Sequence, residues 1–148
     1  MQQFSKINGE PIDYLSYTKD MVKNFPSVEI HVGTDSYLLN DNTRYITAIA
    51  FRFSKAGVHY IYTKKKFPRI KDNWERLWRE TELSVDIARQ LDKQKVKIEI
   101  DMDYNSDERF FSNKLVPVAK GWANSLGFKV NLKPHNQIAT SAADYHSK

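Results

Sequence analysis

The chain has no cysteine, which excludes a disulfide scaffold, a thiolate zinc site and a cysteine nucleophile. No apolar run approaches the roughly 18 residues that a membrane span needs. The opening stretch, MQQFSKINGEP, has neither an apolar segment nor a small-residue cleavage signature, so no secretory leader is expected. Gly and Pro are sparse, five of each, and stand singly at element ends, with no linker, repeat or low-complexity tract between them. These absences lead to the expectation of a soluble, cytoplasmic protein that does not engage a membrane. They leave its oligomeric state open.

What is present fits one folded unit. The chain's 148 residues, 41% hydrophobic and 28% charged, are enough for a core of their own. The expectation is a single domain over 1–148, with residues 1–27 as an N-terminal helical extension. Lys and Arg number 23 against 18 Asp and Glu, a net charge of +5 that suits an anionic partner.

Residues 9–27 read as a short helix closed by Pro26. Val28, Ile30 and Val32 then alternate with Glu29, His31 and Gly33, the period of a strand. RYITAIAFRF (44–53) and VHYIYTKKKF (58–67) are two more strands, joined by short turns into an antiparallel meander. Residues 72–93 form the clearest helix. KIEIDMD (97–103) is a fourth strand, 112–126 a helix with Ser112 as a possible N-cap and Gly127 after its end, 128–134 a fifth strand, and 139–148 a last helical segment. The order α-β-β-β-α-β-α-β-α predicts an α/β fold: a five-stranded mixed sheet, three strands antiparallel and two reached by right-handed crossovers, with helices on both faces.

A few carboxylates stand in places that a solvated face does not explain. Asp35 follows directly on the first strand, where Gly33 leaves room beside it for a strand or a ligand; its plain alternative is a cap on the next turn. Glu80 falls on the apolar side of helix 72–93 with Leu83 and Ile87, whereas Glu82 falls with Glu75 and Asp86. A buried glutamate needs compensation, from Arg76 four residues earlier or from a cation. Asp101 and Asp103 end the fourth strand, and ligand sites gather at such carboxyl ends. Asp144 lies in the terminal helix, by itself an ordinary surface position. Carboxylates converging from four distant segments raise one another's pKa, and Mg²⁺ or Mn²⁺ resolves the conflict.

This pattern resembles the ribonuclease-H-like superfamily, in which acids stand on strand one, the first crossover helix, strand four and the last helix. More narrowly, VGTDSY (32–37), RETELSVDIA (79–88), IEIDMD (98–103) and LKPHNQIATSAADYHSK (132–148) look like a family of small bacterial proteins of uncharacterised function, itself described as ribonuclease-H-like. The similarity runs over most of 28–148. It implies metal ligands at Asp35, Glu80 (Glu82 if the register differs), Asp101 (with Asp103 adjacent) and Asp144, and His146 as an assisting group. Two divalent ions roughly 4 Å apart would then hold a scissile phosphate, with Asp35 bridging them. Thr34 and Ser36 could donate hydrogen bonds to the carboxylates or the phosphate.

A basic run, KKKFPRIK (64–71), joins the third strand to the crossover helix. Lys64, Lys65, Lys66, Arg69 and Lys71 are candidates for phosphate contacts, and Phe67, Trp74 and Trp78 for base stacking or, more plainly, for the core. The leading expectation is a metal-dependent nuclease acting on RNA, RNA–DNA hybrid or structured DNA. The alternatives are a non-catalytic nucleic-acid-binding or adaptor module on the same fold, and a protein-interaction domain whose acids only stabilise structure.

Overall fold

The computed structural model describes residues 3–53, 57–105, 114–133 and 137–147. In chain order the elements are β1 (Phe4–Ser5), β2 (Pro11–Ile12), α1 (Tyr14–Asn24), β3 (Glu29–Leu38), β4 (Asn42–Phe53), β5 (Gly57–Pro68), α2 (Asn73–Asp92), β6 (Ile98–Asn105), α3 (Val116–Ser125), β7 (Lys129–Lys133) and α4 (Ile138–Ser147). They build one mixed sheet in the order β2-β1-β5-β4-β3-β6-β7. β3, β4 and β5 form the expected antiparallel meander, and β6 joins β3 and β7 in parallel.

The sheet has seven strands, not the five expected. The two extra strands come from the N-terminal segment, where the helix is shorter than 9–27: β1 pairs with β2 and meets β5 at Ser5↔Tyr62. Two residues are too few to show a period, so these strands leave no pattern to read. Pro11 is tolerated because β2 is the outer strand. α1 starts after Asp13, whose carboxylate accepts from the Leu15 N–H.

Helix α2 obeys its sequence signals closely. Asp72 caps its first turn through the N–H groups of Trp74 and Glu75, and Leu83, Val85, Ile87, Ala88 and Leu91 are buried. α3 begins at Val116 with Pro117 in its first turn, where the missing N–H costs nothing. Ser112 lies outside the described residues. Gly127, at φ +92°, ends α3 in the left-handed conformation that a side chain would resist.

The two faces of the sheet are packed differently. The main core joins residues of α1, α2 and α3 to Ile30, Val32, Ile49, Phe51, Ile61 and Ile100, and Trp78 stacks on Trp122 with ring centroids 5.3 Å apart. Trp78 is therefore a packing residue. On the other face α4 makes a small core, Ala142 and Ala143 against Ile46 and Ala48. The helix lies close because Gly33 has no side chain. A Cβ at that position would stand 2.7 Å from the Thr140 backbone nitrogen. The space that Gly33 leaves is filled by α4 rather than held open for a ligand.

Candidate metal centre

Side chains alternate along a strand, so β3 sends Gly33 and Asp35 toward α4, and Thr34 and Ser36 toward α2. α4 advances along β3 from Thr140, over Gly33, and one helical turn later Asp144 arrives at Asp35. The two carboxyl groups are hydrogen bonded to each other. Such a bond requires a shared proton. Burial pushes Asp35 up to about 7, the Asp144 hydrogen bond and charge add to the rise, and Asp103 contributes further.

Glu80 reaches the same end of the sheet from α2. It is buried, its Oε2 accepts the Ser36 hydroxyl, and Ser36 Oγ in turn accepts from Arg76 Nη1 at 2.8 Å. Burial lifts Glu80 to about 8. The Ser36 hydrogen bond and the Arg76 charge oppose that rise, while the charges of Asp35 and Asp103 reinforce it. The expected partnership with Arg76 is thus present, but it does not cancel the desolvation of the carboxylate. Glu82 is half-buried, on another side of the helix.

The two aspartates of β6 have different surroundings. Asp103 acts on both Asp35 and Glu80 through its charge. Asp101, one row back, is opposite Gly33 and is fully engaged: Oδ1 lies 2.9 Å from His31 Nδ1 and accepts from Asn131 Nδ2 at 2.9 Å, and Oδ2 accepts the Ala139 N–H at 2.9 Å. Asp35 and Asp144 thus meet, Glu80 and Asp103 stand at the same end of the sheet, and Asp101 contacts His31, Asn131 and the start of α4.

His146 packs against β5. Its Nε2 lies 2.7 Å from the Tyr60 hydroxyl and its ring stacks on Tyr62 at 3.8 Å, so its contacts are on β5 rather than with the carboxylates. Burial and the Lys64 charge lower its pKa. Thr34 Oγ1 is buried in hydrogen bonds to Thr47 and Ser84, away from Asp35.

Strand register divides the basic run between the two faces. Asp35 pairs with Ile46, and Ile46 with Lys64, so Lys64 shares the row and the face of Asp35. Its Cα is about 10 Å away, two strand spacings. The next row on that face runs Tyr37, Arg44, Lys66. Lys65 points to the α2 face, over Phe67, where Arg79 also sits. Arg69 donates from Nη1 to the Leu39 carbonyl, and Lys71 is exposed. Sequence reasoning missed Tyr37, two residues beyond Asp35 on the same face of β3, and Arg44, which strand pairing sets opposite Tyr37. It missed His31 too, although His31 has the strand parity of Asp35.

Carboxyl groups are the donors that a hard divalent cation takes. Four of them, from β3, α2, β6 and α4, stand at this end of the sheet, Asp35 and Glu80 with raised proton affinity. Among the described residues the three-ligand group with donor atoms within 4.8 Å of one another is a different one, Glu29, His31 and Glu99. Fold and site together define a class, mixed-sheet α/β proteins with a carboxylate cluster at the carboxyl ends of neighbouring parallel strands. The family is equally plain. The profile described as Ribonuclease H-like matches residues 15–148, and the chain belongs to that family. Neither a curated protein nor a solved structure matches it. Membership points to a function related to nucleic acids, on a fold that often uses divalent metals. No helix among the described residues is long and apolar enough to cross a membrane.

Proposed function

We propose that this protein is a divalent-metal-dependent nuclease that hydrolyses phosphodiester bonds in RNA, RNA–DNA hybrid or structured DNA, with the chain 1–148 acting as one domain. The observation that carries the reading is the raised pKa of Asp35 and Glu80 at one end of the sheet, each in the field of Asp103, with Asp144 against Asp35. Asp35 and Asp144 would hold Mg²⁺ or Mn²⁺ from the α4 face, with Asp103 beside them and Glu80 from the α2 side. Bound there, the metal supplies an activated water and stabilises charge on the leaving oxygen.

The chain's own residues prepare that position. Ser36 and Arg76 hold Glu80 in one orientation, and Asp101 fixes the start of α4 through the Ala139 N–H, which sets Asp144 against Asp35. Lys64, Lys66 and Arg44 offer phosphate contacts on the face of Asp35, and Tyr37, 45% exposed, offers a ring for stacking.

The test is a panel of labelled single strands, duplexes, hybrids and junctions incubated with Mn²⁺ or Mg²⁺, for wild type and Asp35→Asn. Divalent-dependent cleavage lost in the variant supports the reading. Binding that ignores chelator, with no cleavage of any substrate, points instead to the adaptor module.

A further inference from the structure

A second group of ligating atoms lies on the α4 face at the other end of the same strands. Glu29 and His31 are alternate residues of β3, and Glu99 of β6 is the direct register partner of His31. From Glu29 and His31 to Asp35 is four residues or more of extended chain, about 13 Å, so this group is separate from the carboxylates around Asp35.

His31 is fully buried, and its surroundings fix which ring nitrogen carries the proton. Asp101 accepts from Asn131 and from the Ala139 N–H, and an acceptor-only carboxylate there requires the hydrogen on Nδ1 of His31. A metal-bound imidazole is commonly oriented by just such a carboxylate on its second nitrogen. Nε2 faces Glu29 Oε1 at 3.3 Å and Glu99 Oε2 at 3.9 Å; burial lowers the pKa of the ring, but Asp101, Glu99 and Glu29 raise it overall. Positive charge is favoured at this position, as a proton on Nε2 donated to Glu29 or as a metal ion that displaces it.

We propose that Glu29, His31 and Glu99 form a binding site for a divalent ion of the imidazole-preferring kind, Zn²⁺ before Mg²⁺. The three ligand atoms lie within 4.8 Å of one another. Ligands of a tetrahedral zinc ion, each bound at about 2.0 Å, stand roughly 3.3 Å apart, so small side-chain rotations close the site. Asn131 Nδ2 donates to Glu99 Oε1 at 3.0 Å, which turns the other oxygen toward the ring. Charge also favours a metal over a proton. Lys129 lies 3.6 Å from Glu99 Oε1, and with it a divalent ion balances Glu29, Glu99 and Asp101, whereas an imidazolium leaves one negative charge over. The Glu29 side chain is half exposed, so solvent reaches the site from there. Imidazole selects Zn²⁺ where carboxylates alone suit Mg²⁺, so the two ends of these strands prefer different ions. The ion would tie the start of β3 to that of β6.

The experiment is calorimetric titration of the full chain with Zn²⁺ alone, in the wild type, in Asp35→Asn, and in Glu29→Gln and Glu99→Gln, with circular dichroism to verify folding. Glu29 is half exposed, so its variant is expected to fold. Zn²⁺ binding that persists in Asp35→Asn and weakens at least about tenfold, the loss expected even for an orienting partner, in both glutamine variants supports the site. Absence of Zn²⁺ binding in wild type, binding that both glutamine variants retain unchanged, or binding lost only with Asp35→Asn overturns it.

Discussion

At residue scale, Gly33 controls how near α4 can come to the sheet. Gly33→Ala puts a methyl 2.7 Å from one backbone atom and 2.9 Å from the Thr140 methyl, so α4 must move. Overpacking of this kind costs about 1–3 kcal/mol. Thermal melting should register that loss, and because Asp144 rides on α4, cleavage should fall further than stability alone explains. The two β6 aspartates are expected to separate in the opposite sense. Asp103→Asn should abolish divalent-dependent cleavage with the fold intact. Asp101→Asn should cost about 3 kcal/mol, since it leaves His31 without its charged partner in a dry site, and a denaturant titration measures it. Loss of cleavage in a fully stable Asp101→Asn, with Asp103→Asn active, would restore Asp101 as the fourth-strand ligand.

At the scale of elements, β5 is the informative strand. Its three consecutive lysines look equivalent in sequence, but alternation gives Lys64 and Lys66 to the face of Asp35, and Lys65 to the face of Arg79. In oligonucleotide binding, Lys64→Ala and Lys66→Ala should each reduce the slope of log affinity against log salt by about 0.7–0.9, the value of one phosphate contact. Lys65→Ala should leave the slope unchanged. Equal effects from all three would mean that nucleic acid does not follow the α4 face.

At the scale of the whole molecule, the carboxylate cluster couples protonation and metal binding to stability. Asp35 and Glu80 have their folded pKa raised to about 7 and about 8 from ordinary values of 3.8 and 4.5. Between about pH 4 and pH 8 the folded state therefore holds more protons than the unfolded chain, and stability falls as pH rises through that window. Melting without divalent ions should show Tm declining from pH 5 to pH 8. Mn²⁺ should raise Tm more at pH 8 than at pH 5, because at the lower pH protons compete for the same oxygens. Asp35→Asn should flatten both trends and raise the metal-free Tm at pH 8 by about 3 °C, the equivalent of roughly 1 kcal/mol in a chain of this size. A Tm that is independent of pH in wild type would remove the electrostatic basis of the site.

What the chain determines by itself is whatever repeats along it or is local to it. Period-two and period-3.6 patterns were enough to read β3, β4, β5, α2 and β6 and the layered α/β plan, and Glu80 stood out because a charge on an apolar helix face is visible in one dimension. Only tertiary structure decided which side chains meet across strands. Asp101 and Asp103 have the same parity, and one register row separates a carboxylate saturated by His31, Asn131 and Ala139 from one in the field of Glu80. His146 stands two residues from Asp144, but the turn of the helix carries it to Tyr60 and Tyr62. Register acts between segments far apart in sequence, and no local pattern encodes it.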